Sequence, residues 1–275
     1  MECPWCSTEI RESERLCPAC DKDLGYPNVR AAQSQAEIEA LGARYKAATG
    51  EASSRGCLDL LLAFQAAVSS SQAVICRSLS KVKDLISNDN ELYASFSQLI
   101  GSGARRPEKT TVERERLLAD DLLFPFYKEE IRFAALSLDG LGAVEYGPCS
   151  IVLKDTAIRD RATVFEENSL VFCQERKLGF GAPVPFGFRA VWKQRELIAC
   201  AKLVLRMQPR TVEEDFPGIL MSDQDFIEVH IYGKLHRGSI ERVVVRKPST
   251  RRDRIILLKA QSVMHESGVR VEVRN

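Results

Sequence analysis

Cys3-Pro-Trp-Cys6 and Cys17-Pro-Ala-Cys20 form two Cys-x-x-Cys pairs separated by ten residues, a spacing that lets four thiolates converge on one tetrahedral zinc ion. Thiol redox chemistry would account for one such pair but not for its matched second, and no βαβ pattern surrounds either. Four protein ligands leave no open coordination position, so the expected zinc is structural and the function of this ribbon lies on its surface. Trp5 is expected to pack against the rest of the chain, with stacking on a nucleic-acid base as the alternative.

A second set of reactive side chains lies in Asp225-Phe-Ile-Glu-Val-His-Ile-Tyr-Gly233. Alternation along a strand puts Ile227, Val229 and Ile231 on one face and Phe226, Glu228, His230 and Tyr232 on the other. The second face offers a carboxylate, an imidazole and a phenol in a row, either as the floor of a cleft or as a solvated polar face. Upstream, Arg159-Asp-Arg-Ala-Thr-Val-Phe-Glu-Glu-Asn-Ser169 is dense in charge. Arg161 there can clamp a phosphate, and Glu166, Glu167 and Asn168 can hydrogen-bond a sugar or base; a salt-bridged helix end is the alternative. Glu175-Arg-Lys177 is the single Glu-x-Lys fragment a metal-dependent nuclease would use, but no spaced aspartate pair precedes it. The histidines His230, His236 and His265 form no ligand motif.

These residues need elements to hold them. The chain has 275 residues, 45% of them hydrophobic, enough for a sizeable core. Lys and Arg number 39 against 38 Asp and Glu, so no global field draws it to nucleic acid or an anionic membrane. Apolar runs fall far short of the roughly 20 residues that span a bilayer. The N-terminal stretch lacks the form of a secretory signal, which makes the cytoplasm the expected location. Cys57, Cys76, Cys149, Cys173 and Cys200 are scattered singly in apolar contexts and read as core residues.

The expected class is α+β in three parts: a zinc ribbon over residues 1–25, a helical connector over 26–106 and a mixed α+β domain over 107–275. After a turn at Gly25–Asn28, a helix is predicted from about Val29 to Ala48, stopped by Thr49-Gly50. An apolar run follows from Leu58 to Val68, and Ile75, Leu79, Val82, Leu85 and Ile86 are placed on one helical face. This middle reads as a spacer or dimerisation hairpin. Residues 101–107 read as a flexible connection, and Thr110-Thr-Val-Glu113 as a capping box for a helix carrying Leu117, Leu118, Leu122 and Leu123. Predicted strands are Ser150–Leu153, Phe226–Tyr232, Val243–Val245, Ile255–Leu258 and Val269–Val273, with a packed helix from Trp192 to Leu205.

The order of Tyr146-Gly, a strand, Arg161, Glu-Asn-Ser169, a helix, then Phe-Ile-Glu228-Val-His-Ile-Tyr-Gly and Ile240-Glu-Arg-Val-Val-Val resembles the ADP-ribosyltransferase fold of bacterial toxins and phage-defence proteins, over roughly Phe124 to Asn275. The resemblance implies NAD as substrate and Glu228 as the carboxylate that supports the oxocarbenium-like transition state. It further implies NAD contacts from Tyr146, Arg161, Asn168, Ser169 and His230. Phe226 stands where transferases that modify protein side chains carry Glu or Gln, which points to a nucleic-acid or nucleotide acceptor. A toxin-like enzyme would also need a neutralising partner protein, for which the helical middle is a natural docking surface. The alternative is a non-catalytic nucleic-acid-binding or adaptor protein that uses the ribbon and the basic run Arg246–Arg254, read as a loop between two strands.

Overall fold

A computed structural model of the chain describes residues 1–87, 93–94, 99, 111–222, 225–247 and 251–274. The architecture is α+β: an eight-stranded mixed sheet with helices on both faces and the cysteine cluster at the N-terminus. The helices are α1 (Pro27–Ala32), α2 (Gln35–Ser54), α3 (Leu58–Ser69), α4 (Leu79–Ser87), α5 (Thr111–Leu123), α6 (Asp155–Ile158), α7 (Ser169–Glu175), α8 (Arg195–Leu203), α9 (Phe216–Leu220) and α10 (Arg251–Glu266). The strands are β1 (Gln72–Arg77), β2 (Ile131–Ser137), β3 (Cys149–Leu153), β4 (Ala162–Phe165), β5 (Arg189–Val191), β6 (Glu228–Tyr232), β7 (Ile240–Arg246) and β8 (Arg270–Arg274). Their order is β5-β4-β6-β2-β1-β3-β7-β8. Every pair is antiparallel except β7 with β8, which α10 connects as the crossover a parallel pair requires.

The two faces of the sheet bury different populations. One face packs Ile75, Leu136, Ile151, Val164, Val229, Ile231 and Val243 against Leu61 and Phe64 of α3, Val82 and Ile86 of α4, Ile198 of α8 and Ala260 of α10. This single cluster runs from Leu41 to Val269, so α2, α3, β1 and α4 share a core with the C-terminal strands. The other face carries Ile131, Phe165, Phe133 and Tyr232 under α5 and α7.

Several local expectations change. Ile75 belongs to β1, near the middle of the sheet, rather than to a helix of the connector. Val74, Ile75 and Cys76 are all buried, and a short apolar run buried on both sides carries no period that separates strand from helix. Ile255–Leu258 lies in α10 rather than in a strand, with Leu257, Ala260 and Met264 buried at helical spacing. The basic run therefore leads from β7 into α10 and is not a loop between strands; residues 248–250 lie outside the described residues. The expected connection at 101–107 and the Thr110 cap also lie outside them, although α5 itself forms.

The first predicted helix is two. Ser34 interrupts it and caps α2, its hydroxyl accepting from the Glu37 N–H at 3.4 Å. α2 then runs through Gly50 to Ser54, a glycine costing about 1 kcal/mol within a helix. The Glu37 carboxylate leaves its own cap and reaches the sheet edge. It accepts from the Gly187 N–H at 2.5 Å and pairs with the Arg189 guanidinium on β5.

Removing one partner of a buried pair strands the other charge. Glu37→Ala is expected to destabilise the protein by about 3–5 kcal/mol, read as a lowered urea midpoint with an unchanged slope.

Candidate functional site

The central strand β6 presents Glu228 and His230 to the face opposite the main core, as the alternation requires, but that face is not solvated. Both residues are 2% exposed. The His230 ring is enclosed by Phe124, Phe133 and Phe165, with ring centroids 4.8, 5.4 and 5.6 Å away. Its Nε2 lies 3.0 Å from Glu228 Oε2. The Ser169 N–H, at the start of α7, donates to the same oxygen at 3.0 Å. Arg116 of α5 approaches Oε1 at 3.4 Å and lies 3.4 Å from Asp120, one helical turn further on. The Arg116 guanidinium also sits over the Phe133 ring, 4.4 Å from its centroid.

These partners fix the charge of Glu228. Burial favours its protonated form, but the Arg116 charge, the His230 ring and the Ser169 N–H outweigh burial and hold the carboxyl down at about 2. Burial likewise opposes the charge on Arg116, and the adjacent Glu228 and Asp120 carboxylates push its pKa up instead. A buried ion pair of this kind persists because each charge is compensated.

Glu228 borders a cavity of about 630 Å³, lined by Arg77, Tyr93, Arg116, Phe133, Tyr146, Asn168 and Phe226 among others. Tyr146 is set by the glycine after it. Gly147 has φ +149°, and a Cβ there would stand 2.3 Å from the Arg77 backbone, so Gly147 allows this loop to close against β1. The Asn168 side chain caps α7 through the Leu170 N–H at 3.0 Å and donates to the Tyr146 hydroxyl at 3.4 Å. Arg77 donates to the Tyr93 hydroxyl. The cavity thus combines the guanidinium groups of Arg77 and Arg116, the carboxylates of Glu228 and Glu113, an amide, phenols and aromatic walls, a set suited to a ligand that carries both polar groups and rings.

Tyr146, Asn168, Ser169, Glu228 and His230 are brought together. Arg161 is not: it donates to the carbonyls of Ala157, Tyr232 and Lys234 at 2.7, 2.7 and 2.9 Å, closing the opposite end of β6. Arg77, Arg116 and Asp120 went unread in the sequence. Glu113, Arg116 and Asp120 do recur at helical i, i+3 and i+7 spacing, a signal that marks one face of α5 without naming what it meets. At the other predicted fragment, Arg176 stacks on Phe172 and pairs with Glu167 at 3.7 Å. Among the described residues, no potential metal ligands gather around Glu175.

The metal-ligating residues in the N-terminal segment do converge. The sulfurs of Cys3, Cys6, Cys17 and Cys20 all lie within 4.8 Å of one another. Cys3 to Cys20 is 3.8 Å and Cys6 to Cys17 is 3.6 Å, close to the edge of about 3.8 Å for a tetrahedron whose sulfurs stand about 2.3 Å from an ion. The two halves repeat. The Cys3 N–H donates to the Thr8 carbonyl and the Cys17 N–H to the Lys22 carbonyl, both at 2.9 Å, while Ser7 and Asp21 adopt φ of +57° and +53°. Arg30 of α1 secures the unit by donating to the carbonyls of Glu12, Glu14, Leu24 and Gly25. Trp5 does not pack inward as expected; it is 66% exposed. The other five cysteines are buried, as their apolar contexts foretold. No helix among the described residues is long and apolar enough to cross a membrane. In comparisons with known proteins, no family model and no curated sequence matches the chain.

Two outcomes follow from this geometry. The folded-state pKa of Glu228 is lower than its ordinary 4.5, so its contribution to stability is complete above that value and is lost as pH falls towards about 2. Urea unfolding across this window should show an acid destabilisation in the wild type that is smaller in Glu228→Gln. The protein should also bind one equivalent of a thiophilic divalent metal, and Cys17→Ser should abolish that binding and lower the melting temperature, as elemental analysis and calorimetry would register.

Proposed function

We propose that the cavity beside Glu228 takes NAD and that the protein transfers ADP-ribose, with the cysteine cluster holding a structural zinc ion. One observation carries the catalytic reading: a buried carboxylate, held ionised, sits at the edge of a cavity that also presents two guanidinium groups, an amide, phenols and the Glu113 carboxylate. In this reaction the bond between the ribosyl C1′ and the nicotinamide nitrogen breaks, and its electron pair leaves with neutral nicotinamide. Positive charge develops at the ribose, where a pre-placed carboxylate favours the transition state over the ground state. An acceptor lone pair then forms the new bond to C1′, and the acceptor's proton passes to solvent or a nearby base.

The 3.4 Å contact from Arg116 to Glu228 is longer than the roughly 2.7–2.9 Å of a tight charge-assisted bond. Arg116 is therefore suited to exchange Glu228 for a pyrophosphate, which frees Oε1 to meet the ribose while Ser169 and His230 keep Oε2 in place. Arg77 supplies the second cation on the same cavity wall. Zinc, held by four thiolates with no open position, would cross-link the ribbon and take no part in the reaction.

A second reading, a non-catalytic binding or adaptor protein, is supported by the exposure of Trp5 on the ribbon. Nicotinamide release from NAD separates the two. With DNA, RNA or a protein mixture added in turn, the wild type is expected to release nicotinamide, and Glu228→Gln to lower the rate by about two orders of magnitude or more. The absence of release under every addition, from folded and metal-loaded protein, would sink the transferase reading.

A further inference from the structure

The outer face of the ribbon takes no part in the sheet site, and its charge is lopsided. Residues 1–25 carry Glu2, Glu9, Glu12, Glu14, Asp21 and Asp23 against Arg11, Arg15 and Lys22. Arg15 is already engaged, 3.3 Å from Asp23 and 4.3 Å from the Tyr26 ring centroid. Four thiolates around one divalent ion add a further net negative charge. The same small ribbon exposes two large apolar side chains, Trp5 at 66% and Leu16 at 55%.

The backbone arranges two of the carboxylates side by side. Glu2 and Glu9 are direct partners in an antiparallel bridge. Their neighbours Cys3 and Ile10 are buried in the small core of the ribbon, so alternation turns both glutamates outward on the same face. Like charges directly opposite one another across a β-pair repel. Among the described residues, no hydrogen bond or ion pair engages either side chain. A cation between them relieves this repulsion, whereas a phosphate adds to it. An exposed indole face is also the strongest cation–π acceptor among the side chains.

We propose that the ribbon docks a Lys/Arg-rich segment of a partner protein, with one cation over the Trp5 ring and others paired with Glu2 and Glu9. Charge selects this occupant over nucleic acid, whose phosphates the same surface would repel. The proposal is independent of the chemistry at Glu228.

The test uses the full-length, metal-loaded protein and a short fluorescein-labelled Arg/Lys peptide, followed by anisotropy, with a labelled single-stranded oligonucleotide in parallel. The peptide is expected to bind at low ionic strength and to weaken steeply as salt is added. Trp5→Ala should weaken it roughly fivefold or more, the loss of one cation–π contact, and Glu2→Gln with Glu9→Gln should weaken it further. Both changes lie on an exposed surface, and retained metal content and circular dichroism would show that the variants fold. Iodide quenching gives a second readout, because Trp192 is buried and Trp5 is exposed: the peptide should shield the quenchable tryptophan. Absence of peptide binding, equal binding by wild type and variants, unshielded Trp5, or preference for the oligonucleotide would each overturn the proposal.

Discussion

A carboxylate taken out of water must be compensated where it comes to rest, and much of the second face of this sheet is arranged around one such group. Glu228 begins β6, and its two oxygens are met by groups from α5, from α7 and from its own strand. Each of those groups is held in turn. Asp120 steadies Arg116, Asn168 caps the helix that presents the Ser169 N–H, and three phenylalanine rings fix the plane of His230. The loss of any one would leave Glu228 or its partner uncompensated, so the site and the packing of this face are one problem rather than two.

The same logic of compensation extends to the N-terminal region through polar contacts. The Asn28 amide in α1 donates to the carbonyls of Arg161 and His230 at 3.1 and 3.2 Å. Arg44 of α2 pairs with Glu166 and donates to the Gly187 carbonyl at 2.6 Å. The helices that follow the ribbon are therefore stitched to the strands that bear the site, and the ribbon is hooked to α1 by Arg30.

What could be read in the sequence was local. Two Cys-x-x-Cys pairs state their chemistry within twenty residues, and the period-2 alternation of residues 226–232 correctly sorted Glu228 and His230 from Val229 and Ile231. Periodicity failed where a short apolar run is buried on both sides, as at Ile75, and where a helix carries adjacent aliphatic residues, as in Ile255–Leu258. Arg116 lies far along the chain from Glu228, and nothing local announces a contact made across that separation. Arg161 was the converse case. Its type and neighbourhood suited a phosphate, but it donates instead to the Ala157 carbonyl and to two carbonyls at the end of β6. Trp5 was expected to pack against the rest of the chain, yet the small core of the ribbon is made of Cys3, Ile10, Cys17 and Leu24, and Trp5 stands exposed outside it.

The strand order also has a consequence for biosynthesis. β6 lies between β4 and β2, both of which leave the ribosome well before it. Until residue 232 has been made, each of those strands has an open edge where β6 will lie, and such edges invite pairing with other chains. A sheet whose interior strand is made after both of its neighbours completes its pairing only when that strand has been translated, through contacts of high sequence separation. Glu228, Ser169 and Arg116 therefore meet only once β6 has been made, and a shorter nascent chain carries no assembled site.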